Sequence, residues 1–267
     1  LPKNAELRYG SNLMEDFVII VNYLLMLIPG LGLAAVLFLF LRKAHPLLHL
    51  FIFITVFIFT RDAMTPMGLW SIGGEGFLWI RFVDDPLILL VLGFSSIVLV
   101  VLMQMGSPEL AVQVKWFEGN KLLGILIGVT GAVIVALPLI LVYRFGVSIE
   151  NRGGVVPLVL LPFILFITLS GNLYEEVLFR GYIYGWLTGK EEMKPVLAGL
   201  MSGVFFSFGH VFLAFNVTNV GISLLVFALW EGILAGLVRS RFGVVPAVLT
   251  HGLAVFLLTS GDGSFSS

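Results

Sequence analysis

Residues 122–143 read Leu-Leu-Gly-Ile-Leu-Ile-Gly-Val-Thr-Gly-Ala-Val-Ile-Val-Ala-Leu-Pro-Leu-Ile-Leu-Val-Tyr, a run without a single charge. A helix needs about 20 mostly apolar residues to cross the hydrocarbon core of a bilayer, and this stretch supplies them. Working outward, comparable runs lie at 17–41, 87–105, 195–215, 220–238 and 244–259. The stretch 46–60 is shorter and stops at Arg61 and Asp62, which predicts a tilted, partly buried or interfacial segment. Residues 155–187 would span roughly 50 Å as one helix at 1.5 Å per residue, more than a core of about 30 Å. They predict a single long or kinked element, with Ser170-Gly171-Asn172 as the alternative breaking point. The fold class is therefore an all-α polytopic membrane protein, about eight transmembrane helices in one bundle, forming a single integral membrane domain over 1–267.

Composition agrees with that reading. Of 267 residues, 59% are hydrophobic and 12% charged, about half the roughly 25% charge of an ordinary soluble domain. A net charge of -1 without a basic block gives nucleic acid no purchase, and lipid is the expected surroundings. The absence of cysteine excludes disulfides, cysteine nucleophiles and thiolate metal sites. The mixed-charge segment with Lys3, Glu6 and Arg8 precedes a run too long for the apolar core of a signal peptide, so that run is read as a retained first helix. Between the second and third spans, Trp70, Trp79 and Arg81 accompany Gly73 and Gly74, which predicts an interfacial loop or short helix. Gly181 with Gly185, and Gly128 with Ala132, are small-residue spacings suited to close helix approach.

Against this apolar background stands Glu175-Glu176-Val177-Leu178-Phe179-Arg180. Ionisable groups at membrane depth are expensive unless paired, wetted or used for chemistry. On a helix, residues four apart lie about 40° apart in projection and residues five apart about 140°. Glu176 can thus pair with Arg180 along one face while Glu175 points elsewhere, which makes Glu175 the better general-base candidate. His210 and His251 occur on separate predicted spans, the second near the start of the last one. A carboxylate and an imidazole can together hold and deprotonate one water. A second imidazole can donate to the oxyanion that forms when that water attacks a carbonyl. Glu175, His210 and His251 are residue types sufficient for peptide hydrolysis.

Other chemistries fit less well. No HExxH motif is present for a zinc protease, and no aspartate pair lies within the predicted spans; Asp262 falls beyond the last. The membrane serines Ser170, Ser202, Ser207 and Ser223 have no base at a diagnostic spacing. Glu231, in an apolar run beside Trp230, reads as a polar contact to a neighbouring helix, with an auxiliary proton-transfer role as the sharper alternative. An ion or small-solute transporter using Glu175, Glu176, Arg180 and Glu231 is a competing function. A noncatalytic immunity or membrane-binding module is another.

The sequence resembles the type II CAAX prenyl endopeptidase family, within the CPBP group of intramembrane proteases. Glu175-Glu176-Val177-Leu178-Phe179-Arg180 is similar to its EExxxR motif, Phe206 to His210 to its FxxxH motif, and His251 to the histidine of its third motif. The resemblance concentrates in 155–259. It implies a glutamate-dependent intramembrane protease in which Glu175 and His210 activate water and His251 helps form the oxyanion site, with Glu176, Arg180 and Phe206 in support. It implies no cofactor and no catalytic metal, an integral location in the plasma or cell membrane, and substrates that are prenylated proteins or peptides with a C-terminal CAAX sequence. One departure is visible: the family commonly carries HxxxN, whereas Val255 follows His251 here, leaving Asn172, Asn216 or Asn219 as candidate replacements. Phe205, Phe206, Phe208 and Phe212 are chemically suited to line a lipid groove.

Overall fold

The computed structural model of the protein describes residues 13–41, 45–62, 64–74, 77–260 and 265–266. Lys3, Glu6, Arg8 and Asp262 lie outside the described residues. In chain order the elements are α1 (Leu13–Phe40), α2 (Pro46–Asp62), a hairpin of β1 (Trp70–Gly74) and β2 (Phe77–Phe82), α3 (Pro86–Gly106), the short α4 (Pro108–Ala111) and α5 (Lys121–Gly146). They continue through the two-residue β3 (Val156–Pro157) to α6 (Leu161–Glu176), a π-helical segment (Val177–Ile183) and α7 (Tyr184–Gly189). The last part holds α8 (Pro195–Gly209), a second π turn (Leu213–Val217), α9 (Ile222–Phe242), α10 (Val244–Thr259) and β4 (Phe265–Ser266), which pairs with β3.

Among the described residues, six helices are long and apolar enough to cross a membrane: Asp16–Phe40, Pro86–Gly106, Lys121–Gly146, Leu158–Gly189, Pro195–Val217 and Ile222–Phe242. The protein is a mostly helical, polytopic integral membrane protein. The other two expected spans are shorter helices, α2 with 17 residues and α10 with 16. In Leu158–Gly189 and Ile222–Phe242 half of the apolar window is buried inside the protein, against 17% for Asp16–Phe40. The helices that carry Glu175, Glu176, Arg180 and Glu231 are thus central, and α1 is peripheral.

Helix α10 is short because it lies inside the bundle, packed by α5, α6 and α9. Its buried positions occur on every side, from Val244 through His251 to Thr259. A helix start inside protein must find partners for its free N–H groups. Here the carbonyls of Lys115 and Trp116 accept from Val244 N at 2.8 Å and Val245 N at 3.0 Å. The corner from α9 into α10 turns on Gly243, whose φ of +99° is left-handed, and a Cβ there would stand 2.7 Å from the Trp116 carbonyl oxygen. Close approach recurs at Gly128, packed against the Pro246 carbonyl, and where Gly203 meets Gly232 between α8 and α9. The small-residue reading of Gly128 with Ala132 therefore corresponds to a real helix contact. Gly181 and Gly185 instead admit Val114 and Gln113 of the connection after α4, so their close contact is with a loop and not with a second helix.

Two local expectations change. Residues 70–74 and 77–82 pair as antiparallel strands, with Trp70 opposite Phe82 and Ile72 opposite Ile80, rather than forming a loop or short helix. Phe77-Leu78-Trp79-Ile80-Arg81-Phe82 is largely buried, so the apolar–polar alternation that marks a half-exposed strand is missing. The long element does not break at Ser170-Gly171-Asn172, which stay α-helical; its irregularity is the π segment Val177–Ile183, immediately after the two glutamates.

Candidate active site

The paired glutamates end α6, and both are fully buried. Glu176 Oε1 receives Arg180 Nη1 at 2.8 Å, the pairing expected from their spacing. Arg180 Nη2 also donates to the Gly232 carbonyl at 2.9 Å, tying the π segment to α9. The guanidinium lies 4.5 Å from the centroid of Phe206. A π-helical turn loosens the regular backbone ladder and often marks a functional position. Here the Arg180 carbonyl accepts from Arg239 Nε at 2.8 Å, and Arg239 is in turn ion-paired with Glu118.

Glu175 points away from that pair, as the projection predicts. Its Oε1 stands 2.6 Å from Arg61 Nη2, and its Oε2 lies 3.9 Å from His210 Nε2. His210 is at the end of α8, where its Nδ1 bonds the Phe206 carbonyl at 2.8 Å. A carbonyl only accepts, so Nδ1 is the N–H here and Nε2 is the nitrogen turned toward Glu175.

His251 sits in the middle of α10 rather than near its start. Its Nδ1 is 2.9 Å from Glu176 Oε1, and its Nε2 is 3.4 Å from Glu231 Oε2. Phe206 packs between the two imidazoles, with centroids 4.5 Å from His210 and 5.2 Å from His251. Glu175, His210 and His251 thus belong to one buried cluster with Glu176, Arg180 and Phe206. Tyr182 packs against Phe53, and Tyr184 lies under Arg239.

Sequence reasoning missed Arg61 as a member, having read it only as the charge that ends a short apolar stretch. No local pattern links it to Glu175; the contact exists because α2 packs against the π segment that follows α6, where Tyr174 of α6 also reaches the Phe53 carbonyl. Glu231 was singled out by its apolar surroundings, and its contact with His251 is of the kind expected. Of the three asparagines, Asn216 and Asn219 are exposed, and only Asn172 is buried, its Nδ2 donating to the Thr168 carbonyl at 2.7 Å. Val255 belongs to an apolar cluster with Ala132, Val135 and Leu258. Of the phenylalanines considered for a groove, Phe206 is inside the site, while Phe205, Phe208 and Phe212 are exposed. Among the described residues, no group of three His, Asp or Glu side chains is arranged to hold a metal ion.

The buried ionic cluster sets an expectation for stability. Removing one partner of a buried pair strands the other, at a cost of about 3–5 kcal/mol. Arg180→Ala should therefore lower stability by about that amount, measured by unfolding of the purified protein in detergent. A change below about 1 kcal/mol would mean that Glu176 does not depend on this guanidinium.

A bundle of apolar helices around buried glutamates and histidines is consistent with the site of an intramembrane protease. Residues 157–257, which carry Glu175, Glu176, Glu231, His210 and His251, match the family described as type II CAAX prenyl endopeptidase, Rce1-like. Over that stretch, a little over a third of its length, the chain is similar to this family of CAAX proteases. No curated protein and no solved structure matches the chain.

Proposed function

We propose that the protein hydrolyses a peptide bond near the C terminus of a prenylated CAAX protein, with Glu175 and His210 activating the water. The observation that carries this reading is the opposition of Glu175 Oε2 and His210 Nε2 at 3.9 Å. That separation is too long for a direct hydrogen bond. With His210 neutral, both atoms are acceptors, and a water placed at about 2.8 Å from each could donate to both. Its oxygen then attacks the scissile carbonyl carbon as its proton passes to Glu175. The C–N bond breaks as the intermediate collapses, and the leaving amine takes the proton. His251 is assigned to the oxyanion through Nε2, which turns from Glu231, while Nδ1 stays on Glu176. Glu176, Arg180 and Phe206 hold that ring and the π segment in place.

A cavity of about 310 Å³ between α1, α2, α3 and α6 favours a substrate with an apolar chain. Leu27, Leu92, Leu99 and Ile167 contribute to its lining, and Arg61 and Tyr174 close it on the side of Glu175. An isoprenoid there would leave its cysteine close to the carboxylate.

The test is mass spectrometry of products from matched prenylated and unmodified C-terminal peptides. Release of the last three residues from the prenylated peptide alone is expected. Equal cleavage of both peptides would reject the prenyl requirement, and cleavage of neither would reject the proposed activity.

A further inference from the structure

Arg61 lies in the last turn of α2, well outside residues 157–257. Three features fix its guanidinium. Nη2 meets Glu175 Oε1 at 2.6 Å. Nη1 occupies the space beside Gly171, 3.4 Å from where a Cβ would stand. The guanidinium carbon lies 4.5 Å from the centroid of Trp70, on β1. Trp70 is itself held by Nε1 donating to Thr65 Oγ1 at 2.6 Å. The hairpin thus presents a flat, anchored surface on which a planar guanidinium can stack.

The pairing is selective within the carboxylate. It engages Oε1, whereas Oε2 is the oxygen turned toward His210. The neighbours of Glu175 on other elements are Arg61 and Asp62 of α2, His210 at the end of α8, His251 of α10 and Glu231 of α9. On its own helix and the following π segment are Glu176 and Arg180. Of the cations in that set, Arg180 is spent on Glu176 and the Gly232 carbonyl, which leaves Arg61 as the partner of Glu175.

We propose that Arg61 is a positioning residue for the water-activating carboxylate, supplied by α2 and steadied by the β-hairpin. It acts through Glu175: it balances the charge and pins one oxygen so that the other faces the water. The proposal rests on the protease reading above, and it makes the segment before residue 157 part of the reaction centre.

The test compares Arg61→Gln, Arg61→Lys and Glu175→Gln with the wild type on a prenylated peptide. Arg61→Gln should lower kcat about 10- to 100-fold with KM within about twofold, because the interaction concerns the water and not the peptide. Arg61→Lys should recover only part of the loss, because the ammonium restores the charge but not the planar group stacked on Trp70. Combined with Glu175→Gln, Arg61→Gln should add no further loss, since groups acting as a unit are non-additive. An unchanged kcat in Arg61→Gln, failure of lysine to rescue a folded protein, or multiplicative losses in the double variant would each overturn the proposal. If Arg61→Gln does not fold, Trp70→Leu decides, because it removes the stacking surface and keeps the charge. A fall in kcat of about fivefold or more at constant KM supports the role, and an unchanged kcat overturns it. Cleavage by the wild type with these outcomes removes this proposal alone, whereas no cleavage by the wild type removes the protease reading and this proposal with it.

Discussion

Glu175→Gln is expected to reduce kcat by about 10²- to 10⁴-fold, the range that a positioned general base contributes. The substitution keeps the shape of the side chain and removes its ability to accept the proton from water. Because Glu175 Oε2 faces His210 across 3.9 Å, the proposed role involves the attacking water and leaves the peptide-binding surface untouched. KM should therefore change little, and kcat and kcat/KM should fall together, the signature of an interaction made only in the transition state. The amide also leaves Arg61 without a counter-charge, so the comparison needs unfolding measured on the same preparations. A folded Glu175→Gln protein that releases product at the wild-type rate would remove Glu175 from the mechanism.

How much of this site could be read from the chain depends on how local each contact is. Glu176 with Arg180 was legible because residues four apart on one helix must be neighbours. The divergence of Glu175 was legible for the same reason. What it diverges toward was not, because Arg61 arrives from another helix and its sequence context is only the polar end of an apolar stretch. The midpoint position of His251 carries a similar lesson. A buried helix needs no membrane-spanning length, so the 16 residues of α10 place His251 within the bundle, level with Glu176 and Glu231. The strand pair 70–74 and 77–82 escaped notice because burial removed its alternation, although it supplies the surface beneath Arg61. Val255 was legible as a departure from the family motif. Its physical sense emerged only when it was seen packed with Ala132, Val135 and Leu258, an apolar setting in which an asparagine side chain would need a polar partner.

His251→Ala and His210→Ala should both impair turnover, but only the first should also weaken the fold substantially. His251 bridges Glu176 and Glu231, joining α6 to α9 through α10. Losing an oxyanion donor lowers kcat by about 10²- to 10³-fold. The same deletion leaves two buried carboxylates with one partner fewer, a penalty of several kcal/mol where a buried ionic contact is broken on one side, about 3–5 kcal/mol. His210 instead bonds the Phe206 carbonyl within its own helix, and its Nε2 makes no direct hydrogen bond to Glu175. Its removal should lower kcat by about 10²-fold or more through loss of the water partner, with a smaller change in unfolding. A second substitution separates the two effects of His251. Glu231→Gln removes one of the stranded charges, so His251→Ala combined with Glu231→Gln should regain part of the lost stability without regaining activity. Recovery of neither would show that Glu231 and His251 are not energetically coupled. Recovery of activity as well would place the oxyanion donor elsewhere, with buried Asn172 as the next side chain to replace.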